Sequence, residues 1–202
     1  MSGPSISRLA LVICLLATGD AVAQDQGTAD SKAVCTYRHD VAPELCIHAA
    51  TYNKDLCRAI EALATRHAVP PDYFARLIWR ESLFRPNAVS PKGAEGIAQF
   101  MPGTARLRGL NDSFNIIAAL EASSRYLSEL NTRFGNFGLA AAAYNAGEAG
   151  LRNFIANGRL PTETRDYVFA ITGHPVETWK DNPPEKAAPA LDDSRPFFDA
   201  CV

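Results

Sequence analysis

The stretch Pro70-Pro71-Asp72-Tyr73-Phe74-Ala75-Arg76-Leu77-Ile78-Trp79-Arg80-Glu81-Ser82-Leu83-Phe84 decides how the chain is read. Proline suits an initial helical position and aspartate the first turn, so Pro70, Pro71 and Asp72 open a helix. Phe74, Leu77, Ile78 and Glu81 recur at three- and four-residue spacing and share one face. Pro86 sets the approximate end. A carboxyl on that apolar face loses hydration, which disfavours its charged form and keeps it protonated nearer neutral pH. A general acid needs that state. Taken alone the signal is weak, since a glutamate near a helix end is more often solvated or salt-bridged with a residue such as Arg80 or Arg85.

Outward from this helix the pattern stays helical. Upstream, Leu56, Ile60 and Leu63 repeat at helical spacing. Downstream, residues 87–103 hold three glycines and two prolines without a sustained period, which predicts a folded loop with room for one helical turn. Asn115 can cap a long helix whose apolar face runs through Ile116, Leu120, Tyr126, Leu127 and Leu130 to Phe134. An Ala-rich helix over 138–144 follows, then helices over 148–156 and 162–171. No segment reads as alternating strands and no repeat is visible, so the expected fold class is mainly α.

The ends read differently. Arg8, the apolar run from Leu9 to Ala17 and the small residues Ala21-Val22-Ala23 form the three-part pattern of a secretory signal, predicting residues 1–23 as a signal peptide cleaved after Ala23. The run is too short to span a bilayer, so stable membrane insertion is not expected. The expected order is then a leader and N-terminal helical extension (24–66), a main domain (67–174) and a Pro-rich tail (175–202). The tail carries six acidic and three basic residues, and Trp179, Phe197 and Phe198 suggest that parts of it dock on the body. The whole chain has 202 residues and a net charge of −2, with no basic run to track a phosphate backbone, which argues against nucleic-acid binding. An exported protein keeps four cysteines, Cys35, Cys46, Cys57 and Cys201, enough for two disulfides with three possible pairings. Because Cys201 is alone at the far end, one bridge is expected to tie it to the N-terminal segment. His39, His48, His67 and His174 show no ligand spacing, so no metal is expected.

Three blocks carry the chemistry. Glu81-Ser82-Leu83-Phe84 leads through Pro86, Ala88, Ser90 and Pro91 to Gly93-Ala94-Glu95-Gly96-Ile97-Ala98-Gln99-Phe100-Met101-Pro102-Gly103-Thr104-Ala105. Then come Tyr144-Asn145-Ala146-Gly147 and Leu160-Pro161-Thr162-Glu163-Thr164-Arg165-Asp166-Tyr167-Val168. In this order, over about residues 67–172, they resemble the catalytic domain of the soluble lytic transglycosylases, whose lysozyme-like fold is shared with goose-type lysozyme. The resemblance implies Glu81 as acid/base. It implies Ser90 and Gln99 as hydroxyl and amide of the cleft, and Met101 as an apolar cleft residue. Tyr144 and Asn145 match the pair facing the carboxyl, and Glu163 and Tyr167 the block closing the other side. It implies no metal or organic cofactor. Ala98 departs from the family, standing where many members have methionine. Each residue also has a plainer reading. Ser90 can cap a turn, Tyr144 can pair its hydroxyl internally within the core, and Glu163 suits a helix N-terminus.

The implied reaction cuts the bond between N-acetylmuramic acid and N-acetylglucosamine in peptidoglycan strands, closing a 1,6-anhydro ring without water. Ordinary glycosidases need two carboxylates. Glu95, Asp112 and Glu163 are further carboxylates in the region, but none is assignable as a partner by sequence. Two alternatives stay open: a lysozyme that admits water, since fold does not decide chemistry, and a non-catalytic peptidoglycan-binding adaptor of an envelope machine. The expected location is exported, in the periplasm or secreted. A secretion apparatus is a compatible partner.

Overall fold

The computed structural model describes residues 35–184, which fall within one compact unit. The expected signal peptide, most of the leader, Cys201, Phe197 and Phe198 lie outside the described residues. The described chain is mainly α-helical, as expected. The helices are α1 (Tyr52–Arg66), α2 (Pro71–Ser82), α3 (Pro102–Leu107), α4 (Ile116–Phe134), α5 (Phe137–Asn157), α6 (Thr162–Thr172) and α7 (Val176–Asp181).

Each boundary has a local cause. Pro71 occupies the first turn of α2, where its missing N–H costs nothing. Asn115 caps α4 by accepting from the Ala118 N–H at 3.1 Å, and Asn136 caps α5 by accepting from Leu139 at 2.8 Å. The expected end of α2 at Pro86 falls four residues earlier, at Ser82. Leu83 and Phe84 both take left-handed conformations (φ 53° and 59°), and the Leu83 N–H closes the helix onto the Trp79 carbonyl. Neither residue carries the glycine or asparagine that announces such a cap. The Phe84 carbonyl accepts from the Tyr52 hydroxyl at 2.8 Å, so α1 holds this turn.

The loop after α2 is folded by two single antiparallel bridges, Val89 with Glu95 and Glu95 with Phe100. Gly96 is required there. Its φ is +73°, and an added Cβ would sit 1.8 Å from the Ser113 carbonyl oxygen. A short helix does form, but it starts only at the end of the 87–103 stretch and runs past it: α3, opened by Pro102. The two separate helices expected over 138–156 are assigned as one element, α5, but Gly147 (φ 74°, ψ 158°) breaks its path between them.

α1 packs on α2 and α4, α4 on α5, α5 on α6 and α7, and α2 on α6. One core results, with the flanks of α2 fully buried at Tyr73, Phe74, Leu77 and Ile78. Arg76, on the same helix, donates through Nε to the Ile171 carbonyl of α6 at 2.6 Å. Trp179 docks as expected. It is 2 % exposed and lies so close over Gly138 that a Cβ there would be 1.9 Å from the ring. Before α1, Cys35 and Cys46 form a disulfide around the Tyr37–Ile47 bridge. Cys57 is also disulfide-bonded. The expected tie of Cys201 lies outside the described residues. Among the described residues no helix is long and apolar enough to cross a membrane.

Candidate active site

Glu81 stands in the last turn of α2, half-buried at the base of a groove of about 730 Å³. That volume lies toward the upper end of the roughly 300–1,000 Å³ range of ligand clefts. All eight residues singled out by the sequence, Glu81, Ser90, Gln99, Met101, Tyr144, Asn145, Glu163 and Tyr167, line this one groove. Four elements deliver them: the end of α2, the bridged loop, the break in α5 and the first turns of α6.

Burial pushes the Glu81 carboxyl from 4.5 up to about 7, against the lowering effects of a hydrogen bond from Tyr167 and the charge of Arg80; Glu163 adds a smaller upward push. The Tyr167 hydroxyl donates directly to Glu81 Oε1. Tyr167 is itself buried, and desolvation holds its own pKa far above the ordinary tyrosine value. It therefore serves Glu81 only as a donor. Tyr167 thus engages one oxygen of a carboxyl that lines the groove.

The remaining residues divide between building the wall and facing the groove. Ser90 Oγ accepts from the Ala94 N–H at 2.9 Å, so it caps its turn while lining the cleft. Gln99 has φ 50°, and its Nε2 donates to the Gly96 and Ala88 carbonyls at 2.8 and 3.2 Å. That side chain braces the loop with its nitrogen while lining the groove. Met101 is 45 % exposed at the lip. The Tyr144 hydroxyl donates to the Ala98 carbonyl at 2.9 Å and pairs with Ser123 at 3.0 Å. The plainer reading of its hydroxyl holds, therefore, while its ring forms part of the wall against Phe100 and Tyr126. Asn145 Oδ1 accepts from Thr164 at 2.7 Å, locking α5 to the start of α6. Glu163 is exposed and pairs with Lys92 at 3.3 Å, joining the bridged loop to α6.

Of the other carboxylates considered, Glu95 and Asp112 do not line the groove, whereas Glu163 does. The groove also takes in Arg80, Lys92, Thr104 and Tyr126, which the sequence reading missed. Tyr126 was hidden because its spacing on α4 is that of a core residue. Thr104 stands in the first block of the resemblance but was given no role there. Arg80 had a signal, its place beside Glu81, but was weighed only as a possible ion-pair partner.

The model of the Transglycosylase SLT domain matches residues 58–163, taking in most of α1 and stopping before Tyr167. The membrane-bound lytic murein transglycosylase D of Escherichia coli (strain K12) is 36 % identical over 107 residues, covering 44 % of this chain and 24 % of that protein. The soluble lytic murein transglycosylase of the same strain is 30 % identical over 129 residues, 52 % of this chain and 20 % of that one. Among solved structures, the lytic transglycosylase Slt of Pseudomonas aeruginosa, in an inactive mutant, superposes with a TM-score of 0.53 at 27 % identity, covering 65 % of this chain and 25 % of the other. The chain thus spans a quarter or less of these relatives. The match to the family model covers just over half of the chain, and the helical architecture agrees with the lysozyme-like fold expected of such a domain; the chain belongs to the Transglycosylase SLT domain family.

Proposed function

We propose that this protein is an exported lytic transglycosylase that cleaves the bond between N-acetylmuramic acid and N-acetylglucosamine in peptidoglycan, with Glu81 as acid and then base. The observation that carries this reading is the Glu81–Tyr167 pair: a half-buried carboxyl that lines the groove, poised near pH 7, with one oxygen held by a tyrosine hydroxyl. A group poised at the working pH can both give and take a proton.

The balance of the reaction follows from that pair. Protonated Glu81 donates to the glycosidic oxygen as the C1–O bond breaks, and N-acetylglucosamine leaves as an alcohol. The carbonyl oxygen of the muramoyl acetamido group shares the positive charge at C1. Glu81, now a carboxylate, takes the proton of the same sugar's C6 hydroxyl while O6 bonds to C1. The ring closes as a 1,6-anhydro sugar, Glu81 ends protonated as it began, and no water enters. Attack within one bound sugar gains from proximity. Glu163, exposed and tied to Lys92, has the surroundings of a rim residue rather than a second catalytic carboxylate.

Glu81→Gln tests the assignment, since the amide keeps the shape and loses the transferable proton. Turnover of peptidoglycan should fall by about 10³-fold, within the range expected for general acid–base groups. The fold should persist, and a pH titration of its stability gives an independent check. The native carboxyl binds a proton up to about pH 7 and the unfolded one only to 4.5, so the wild type loses stability as pH rises through that window. Glu81→Gln has no such loss, and above pH 7 it should be the more stable protein by as much as about 3 kcal/mol, at about 1.4 kcal/mol per pH unit. Near-wild-type turnover in Glu81→Gln would overturn the assignment.

A further inference from the structure

The groove holds a cation that the reaction above does not use. Arg80 precedes Glu81 at the end of α2, is exposed, and lines the groove beside it. Several other arginines of the described chain are committed. Arg66 pairs with Glu44 and Glu121, Arg108 with Glu129, and Arg165 with Glu177, while Arg85 donates to the Ser82 carbonyl. Lys92, the other cation of the groove, is tied to Glu163. Arg80 has neither a hydrogen-bond nor an ion-pair partner among the described residues. A rigid, planar five-donor fork thus faces the cleft next to the reacting carboxyl.

The repeating sugars of peptidoglycan are neutral at every position except the lactyl ether of the muramoyl unit. That ether ends in a free carboxylate when bare, and carries a stem peptide with its own free carboxylates when substituted. A guanidinium is the side chain best matched to a carboxylate, because its paired N–H groups meet both oxygens. We propose that Arg80 is a specificity-determining residue that binds a carboxylate carried by the muramoyl unit beside the scissile bond. This rests on the lytic reading of the groove and adds to it the class of strand that is turned over fastest: strands whose carboxylates are free rather than amidated.

The test compares three forms of purified peptidoglycan: native strands, strands whose carboxylates have been amidated with carbodiimide and ammonium, and strands stripped of stem peptides by an amidase. The readout is the ratio of kcat/KM on native over amidated strands. Loss of the Arg80 charge also changes the proton affinity of Glu81, but that acts on all substrates alike and cancels in the ratio. Wild type should prefer native strands by about tenfold, equivalent to about 1.4 kcal/mol. Arg80→Gln should bring the ratio close to one, and Arg80→Lys, which keeps the charge without the fork, should fall between. The native-over-amidated ratio reads the stem-peptide carboxylates, since the lactyl group of native strands is already an amide. Stripped strands cleaved like native ones show that a freed lactyl carboxylate also serves Arg80; stripped strands cleaved like amidated ones restrict the contact to the stem peptide. A wild-type ratio of one, or an unchanged ratio in Arg80→Gln, would overturn the proposal alone. Absence of cleavage of any strand by the wild type would overturn the lytic reading and this inference together.

Discussion

Only one member of the Glu81–Tyr167 pair changes protonation near neutral pH, because burial raises the tyrosine far beyond reach while bringing the carboxyl to about 7. The hydrogen bond from Tyr167 acts downward on Glu81, since it favours the ionised form. Its removal in Tyr167→Phe should therefore raise the Glu81 pKa further. The acid must be protonated to react, so the wild-type rate should decline as pH rises above about 7, and the variant's alkaline limb should move to higher pH. Turnover at the optimum should drop roughly tenfold or more as the carboxyl loses its orienting donor. A pH profile of kcat/KM on peptidoglycan checks both effects. An alkaline limb shifted downward, or left in place, would contradict this role for Tyr167. At this scale, the buried placement of Glu81 was legible in the i, i+3, i+4 spacing of Phe74, Leu77, Ile78 and Glu81. The gathering of the other seven residues around it was legible only through the resemblance of the three blocks, because Ser90, Tyr144 and Tyr167 are far apart in the chain and no local pattern joins them.

Among the elements, the bridged loop between α2 and α3 is the part on which groove geometry depends most. It supplies Ser90, Lys92, Gln99 and Met101, and its path passes within a side chain's thickness of Ser113 at Gly96. Gly96→Ala places a Cβ against a backbone carbonyl at a φ that L-residues avoid, and neither can be relieved by a rotamer change. Destabilisation of about 3 kcal/mol or more is expected, measured by denaturant unfolding, with loss of turnover. Gly93→Ala makes a control: its φ is also positive, but a Cβ there meets open space, so only the backbone cost, of order 1 kcal/mol, should remain. The helices around this loop were legible because their apolar periods are long and their starts ordinary, as with Pro71 and Asn115. The end of α2 was not, since Leu83 and Phe84 take left-handed conformations held by tertiary contacts, Tyr52 to the Phe84 carbonyl and Trp79 against the Phe84 ring. Such contacts leave no signature in a local window.

Across the whole molecule, α7 closes the far side of the core by laying Trp179 on Gly138 at the start of α5. Its indole N–H donates to Thr172 at 3.0 Å, so the ring is fixed at both ends. Trp179→Ala should cost about 3–5 kcal/mol in denaturant unfolding, in the range of large-to-small core substitutions. Gly138→Ala alone should also destabilise, by collision with the ring. Combined with Trp179→Ala it should do so no longer, since an alanine then occupies vacated space and favours the helix by up to about 1 kcal/mol over glycine. Strict additivity of the two changes would contradict the packing described.

Glu81 as acid and base of a water-free cleavage is tested most directly by the mass of what the enzyme releases. Purified peptidoglycan treated with wild type should yield muropeptides one water lighter than the corresponding hydrolysed products, the mark of the 1,6-anhydro ring, and Glu81→Gln should release essentially none. Fully hydrated muropeptides from the wild type, or anhydro products from Glu81→Gln at comparable rate, would contradict it.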